Sequence, residues 1–192
     1  MIRPGKQAPE LKVHTVSDEE WDLHSKRPEK FLMIVFYRGF HCPICKKYLQ
    51  DLSDHADQFF KQGVLDIIAV SGDNEERAYK AKEEWDLSNV EVGFDQSLES
   101  MKEWGLFISE SIKKNEPKFF GEPGLFILDS DRNIFYSALN SMPFGRPRFD
   151  DMIDALEFIN ENDYPPRGTV AFEPNLFVDS EAIQPAGTVL HY

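Results

Sequence analysis

Residues 31–37, FLMIVFY, form an unbroken apolar run with β-branched and aromatic members. Such a run suits a strand buried on both faces of a mostly parallel sheet, because a strand with one wet face would alternate instead. From Pro43 the period changes. Ile44, Tyr48, Leu49, Leu52, Ala56, Phe59 and Phe60 fall on one helical face, whereas Lys46, Lys47, Gln50, Asp54 and Asp57 fall elsewhere. Gly63 is placed to end this helix, and Val64–Val70, VLDIIAV, reads as the next parallel strand. A strand, a helix and a parallel strand joined by a right-handed crossover define an α/β fold.

The remaining segments extend that sheet. Ser71-Gly72-Asp73-Asn74 is a turn with capping residues, followed by a polar helix over Glu75–Leu87 with Tyr79 and Trp85 facing inward. A short strand is expected at Val90–Phe94, then a helix capped by Asp95-Gln96-Ser97 and running through Trp104 to a stop at Gly105. Residues 109–122 are polar and are expected to be a loop. Gly124–Asp129 and Asn133–Leu139, separated by Ser130-Asp131-Arg132, read as a hairpin, and residues 148–162 as an amphipathic helix with Phe149, Met152, Ile153, Leu156 and Ile159 inward. Residues 8–23 predict a further β-hairpin at the sheet edge. The expected domain covers residues 1–163. Residues 164–192, with Pro165, Pro166, Pro174 and Pro185, are expected to be an extension packed on this domain or on a second subunit of a homodimer.

Composition limits the partners. The chain has 192 residues, enough for one full core with roughly 70% of the unfolded surface buried. Its 34 acidic and 21 basic residues leave a formal net charge of −13, which disfavours nucleic acid and anionic membranes. The N-terminal MIRPGKQAPELKV lacks the apolar core of a signal peptide, and no stretch approaches the roughly 20 apolar residues of a membrane span. A cytoplasmic location is therefore expected. Structural disulfides are rare there, and two cysteines three residues apart cannot staple distant segments, so Cys42 and Cys45 are expected to be reactive or metal-binding.

A helix starting at Cys42 aims unpaired backbone N–H groups and the positive end of its dipole at the sulfur, which favours the thiolate. Pro43 sits near the first helical position, where its missing N–H costs nothing. Cys42, at the helix entrance, is the expected nucleophile toward a peroxide oxygen or a disulfide sulfur. Cys45, one turn inside, is the expected resolving thiol, leaving a disulfide for an external reductant. A zinc or iron–sulfur centre needs about four ligands, and His41 and His55 are poorly placed to complete one, so no cofactor is expected.

Arg38, His41, Lys46 and Lys47 supply positive charge nearby, although such side chains commonly extend into water. His41 is a candidate general acid if its ring turns toward the thiol. Sites of open α/β sheets lie beyond the C-terminal strand ends, which gives an expected rim of Ser71–Asn74, Glu122-Pro123-Gly124 and Met142–Arg148. A cis Pro123 would pack beside the thiol. Two other readings use the same pair: inert packing of both cysteines, and a non-catalytic redox sensor in which the disulfide moves residues 164–192.

The stretch F-Y-R-G-x-x-C-P-x-C-K-x-Y-L over residues 36–49 resembles the AhpC/TSA family of thioredoxin-fold proteins, in its peroxiredoxin-like subgroup. Gly5–Pro9, VLDIIAVSGD, FDQSLESMKEWGL, EPGLFILDSD and FDDMIDALEFINENDYPPRG extend the resemblance over roughly residues 1–168. It implies a thioredoxin-like fold with a central mixed sheet and helices on both faces. It further implies thiol chemistry at Cys42 with Cys45 second, and a reductant of the thioredoxin, glutaredoxin or glutathione type. Two departures stand out. Typical peroxiredoxins carry a threonine three residues before the attacking cysteine and an arginine near the hairpin, where this chain has Gly39 and Glu122-Pro123-Gly124. Arg38 or Arg146 are the candidate replacements. A C-P-x-C site with a proline entering the hairpin is similar to glutaredoxin and thioredoxin, which implies thiol–disulfide exchange as the alternative activity.

Overall fold

A computed structural model describes residues 2–171, so the expected roles of residues 172–192 in packing or dimerisation lie outside the described residues. The strands are β1 (Lys12–Thr15), β2 (Glu20–Asp22), β3 (Phe31–Phe36), β4 (Val64–Val70), β5 (Glu91–Phe94), β6 (Ile108–Glu110), β7 (Phe119–Gly121), β8 (Gly124–Leu128) and β9 (Ile134–Leu139). The helices are α1 (Pro43–Lys61), α2 (Glu75–Glu84), α3 (Leu98–Glu103) and α4 (Phe149–Asn162). Seven strands form one mixed sheet in the order β2-β1-β5-β4-β3-β8-β9. β3, β4 and β5 are parallel, while β8 and β9 add an antiparallel hairpin on one side and β1 and β2 another at the opposite edge.

The apolar run at β3 is buried at every position because it is the central strand and has a core on each face. Phe31, Met33 and Val35 join α1, α2 and α4 in one core; Leu32, Ile34 and Phe36 join α3 and the N-terminal hairpin in the other. Helices therefore cover both faces. On α1 the buried line is Cys45, Leu49, Leu52, Ser53, Ala56 and Phe59. Phe60, expected on that face, is instead 40% exposed, since a further 100° step from Phe59 takes it to the flank. Gly63 follows the helix at φ +91°, a conformation in which a side chain is strained.

Residues 109–122 are not all loop: β6 and β7 pair as a separate two-stranded ribbon. α2 ends at Glu84, three residues earlier than its pattern predicts, and Trp85 caps it with a buried ring. Tyr79 is only half buried and donates its hydroxyl to Asp18 at 2.9 Å. No helix among the described residues is long and apolar enough to cross a membrane.

Candidate active site

β3 delivers the chain to the end of the sheet where α1 begins. Cys42 is the N-cap of α1, with extended backbone (φ −103°, ψ 99°), and its Sγ accepts the Cys45 N–H at 3.2 Å. Pro43 occupies the first turn without leaving a donor unpaired. Both cysteines are free and buried, Cys42 at 2% exposure.

Their environments drive the two thiols apart. A hydrogen bond from the Cys45 thiol pulls Cys42 down to about 6; burial opposes this, and the Cys45 backbone N–H and the charges of Arg38 and Arg146 reinforce it. Cys45 is pushed up, first by burial and then by donating to, and facing, the Cys42 sulfur. One thiol is ionised near neutrality and its neighbour keeps its proton.

The two arginines differ in their company. Arg38 lies over the Phe120 ring at 4.6 Å, with Nε 3.5 Å from Glu122 and Nη2 3.7 Å from Glu116. Glu122 is itself buried and accepts the Ser109 hydroxyl at 2.6 Å. Arg146 donates Nη2 to the Ile44 carbonyl at 3.0 Å, and its guanidinium lies 3.8 Å above the Tyr48 ring. Around this segment Arg38 Nε, His41 Nε2, Glu122 Oε2 and Arg146 Nη1 are buried without a hydrogen-bond partner among the described residues. Buried polar atoms are ordinarily paired, so such a cluster is a setting for polar ligand atoms.

His41 packs against Phe120 with ring centroids 4.8 Å apart, and its Nδ1 is 3.4 Å from Arg77 Nη2. Burial, with the charges of Arg38 and Arg77, lowers it to about 4 against the opposing effect of Asp73. The ring is neutral near pH 7, which leaves no imidazolium proton for the general-acid role considered for it from the sequence. Lys46 reaches the Glu84 carbonyl at 3.2 Å at the end of α2, and Lys47 is exposed, so neither lysine joins this cluster. Pro123 enters β8 through a trans peptide bond, not the cis bond considered from the sequence; trans is the ordinary X–Pro form.

Asp73 belongs to the Ser71–Asn74 stretch expected on the rim, but the contacts it makes are not marked in the sequence. Its buried carboxylate accepts the Phe40 N–H and Arg77 Nε, the latter at 2.7 Å, and so holds the segment that leads into Cys42. It also explains Gly39. That residue sits at φ +122°, and a Cβ there would lie 2.7 Å from the Asp73 carboxylate. A threonine cannot occupy position 39 while Asp73 points inward. The capping signal at Ser71–Asn74 marked the turn, but nothing local marked its contact with the cysteine segment.

Among the described residues no group of three or more His, Cys, Asp and Glu side chains is arranged to hold a metal ion. Residues 4–137 match the AhpC/TSA family. The chain belongs to the AhpC/TSA family. It is thus a thiol peroxidase or thiol–disulfide oxidoreductase. Solved AhpC/TSA-like folds agree with the architecture. Peroxidoxin BcpB from Mycobacterium tuberculosis is 17% identical with TM-score 0.67, over 83% of this chain and 99% of that one. A peroxiredoxin-like protein from Aquifex aeolicus is 21% identical with TM-score 0.65, over 81% and 86%. Reduced Prx3 from Vibrio vulnificus in complex with H2O2 is 16% identical with TM-score 0.69, over 81% and 99%. No match was found among curated protein sequences. The family match ends before Arg146.

Proposed function

We propose that the protein reduces a small peroxide, with Cys42 as the attacking thiolate and Cys45 as the resolving thiol. The carrying observation is the Cys42 sulfur itself: it caps α1, is 2% exposed, and is stabilised as a thiolate first by the Cys45 thiol, then by the Cys45 N–H and by Arg38 and Arg146. A sulfur so enclosed is reached more readily by a small oxidant than by a protein disulfide, whose reaction depends on access for an approaching sulfur. The free Arg146 Nη1 supports the same reading, because a developing oxyanion needs a donor that is not already engaged. A protein of similar fold described in complex with H2O2 makes such an oxidant reasonable for this architecture.

In the first step the Cys42 sulfur bonds to one peroxide oxygen and the O–O bond breaks. The departing oxygen takes a proton and leaves as water or an alcohol, and Cys42 becomes a sulfenic acid. Cys45 then loses its proton and attacks that sulfur; the S–O bond breaks, water leaves, and a Cys42–Cys45 disulfide remains. An external thiol reductant of the thioredoxin, glutaredoxin or glutathione type returns two electrons.

Disulfide exchange is the second reading. It is favoured by Arg38, whose charge is taken up by Glu116 and Glu122 rather than left for a peroxide. Stopped-flow oxidation by hydrogen peroxide, run beside reduction of a model disulfide, separates the two. Cys42 oxidation well above the rate of free cysteine is expected, and a rate equal to free cysteine would remove the peroxidase reading. Cys45→Ser should stop at a sulfenic acid that dimedone traps. Unchanged turnover in that variant would exclude Cys45 from the cycle.

A further inference from the structure

Tyr48 belongs to the cysteine motif, yet it has no part in the chemistry above. It stands one turn beyond Ile44 on the same face of α1, so the Ile44 carbonyl and the Tyr48 ring present two neighbouring holds to whatever packs there. Arg146 takes both. Its Nη2 donates to Ile44 O at 3.0 Å, and its guanidinium carbon rests 3.8 Å above the Tyr48 ring. The Tyr48 hydroxyl donates to the carbonyl of Pro147, the next residue, at 2.9 Å. The ring is supported from behind by Phe149, with centroids 4.4 Å apart.

The segment carrying Arg146 is tied at its backbone, where Asn140 Nδ2 donates to the carbonyls of Phe144 at 3.3 Å and Gly145 at 3.1 Å, but these bonds do not aim the arginine side chain. Gly145 has φ +68° and open space where a side chain would stand, and Met142 and Phe144 are exposed. A guanidinium with a free buried N–H needs its direction set by its other contacts. A π face beneath it and a hydrogen bond on the following residue set that direction without using the remaining donor.

We propose that Tyr48 is a positioning residue for Arg146, holding its unengaged Nη1 toward the Cys42 sulfur. This rests on the reading that Arg146 serves the Cys42 reaction. Tyr48 touches the arginine and not the reacting atoms, so its removal should mimic removal of the arginine, with nothing added when both are gone.

The test is a double-mutant cycle on the full chain, read by the pH titration of Cys42 thiolate absorbance and by hydrogen peroxide oxidation rates. Arg146→Met should raise the Cys42 midpoint by about one pH unit, and Tyr48→Leu by about half to one unit. Tyr48→Phe keeps the ring and should lose the smaller part of that shift. The double variant should match Arg146→Met alone, with oxidation at pH 5 slowed roughly tenfold in both. If Tyr48→Leu does not fold, Tyr48→Met fills the space without a π face and replaces it. A folded Tyr48 variant with an unmoved Cys42 midpoint, beside an Arg146→Met that shifts it, overturns the positioning role alone. So does a double variant whose shift is the sum of the singles. A silent Arg146→Met overturns both the positioning role and the reading of Arg146 beneath it.

Discussion

Gly39→Ala tests whether the cysteine segment is held by contact between Gly39 and Asp73. The new methyl would stand 2.7–2.9 Å from the Asp73 carboxylate atoms, closer than side-chain carbons are found, and the backbone there has φ +122°. Two costs follow. Holding a non-glycine residue in that region costs roughly 1–3 kcal/mol. Pushing Asp73 away breaks its hydrogen bond from the Phe40 N–H, a bond to a charged acceptor contributing about 1.5–3 kcal/mol. Together they predict a loss of about 2.5–6 kcal/mol, a large share of a total stability of roughly 5–15 kcal/mol. Equilibrium unfolding in urea under reducing conditions measures it. Asp73→Ala separates the parts: in that background Gly39→Ala should cost only its backbone share, giving a coupling of about 2 kcal/mol. A single-variant loss below about 1 kcal/mol, or strict additivity in the double variant, would refute the steric argument.

Two further outcomes follow from titrating groups. The rate of Cys42 oxidation by peroxide should rise through about pH 6 and level off above pH 7, because the thiolate is the reactive form; a midpoint near the ordinary thiol value of 9.0 would contradict the assignment. His55, between α1 and α4, is raised above 6.5 by the Asp51 carbonyl and then by Asp150, against burial. A raised histidine stabilises the fold fully below its unfolded value and loses that contribution as pH rises through its folded value. Melting temperatures of wild type and His55→Asn should therefore converge as pH climbs from 5.5 to 8.5, and parallel curves would exclude the linkage.

The parts of the fold with one dominant period were legible in the sequence. β3 and β4 announce themselves as continuous apolar runs because both faces are covered, and α1 as a long amphipathic face closed by Gly63. β6 and β7 were missed for the converse reason. They are three residues each, Ile108 and Phe119 are exposed, and the single buried ring of Phe120 is too little to set a period. Cys42 was placed at its helix entrance by Pro43 and the change of period. Reading β4 as parallel to β3 put Ser71–Asn74 on the rim of the site, but the specific contact of the Asp73 carboxylate with Gly39 and the Phe40 N–H depends on side-chain packing that no local signal encodes. The same holds for Arg146 and Tyr48, which meet only when the segment after β9 folds back over α1.

The sulfur that caps α1 also fixes an electrochemical property. A bond from the Cys45 N–H to the Cys42 thiolate favours the dithiol form, and whatever favours the reduced form makes the corresponding disulfide the stronger oxidant. Each tenfold preference for the thiolate state moves a two-electron couple by about 30 mV. The oxidised enzyme should thus release its oxidising equivalent to a thiol donor more readily than a structural disulfide would. Equilibration with a glutathione redox buffer reads this directly; a potential below about −300 mV, where structural disulfides lie, would show that the cap has no hold on the couple.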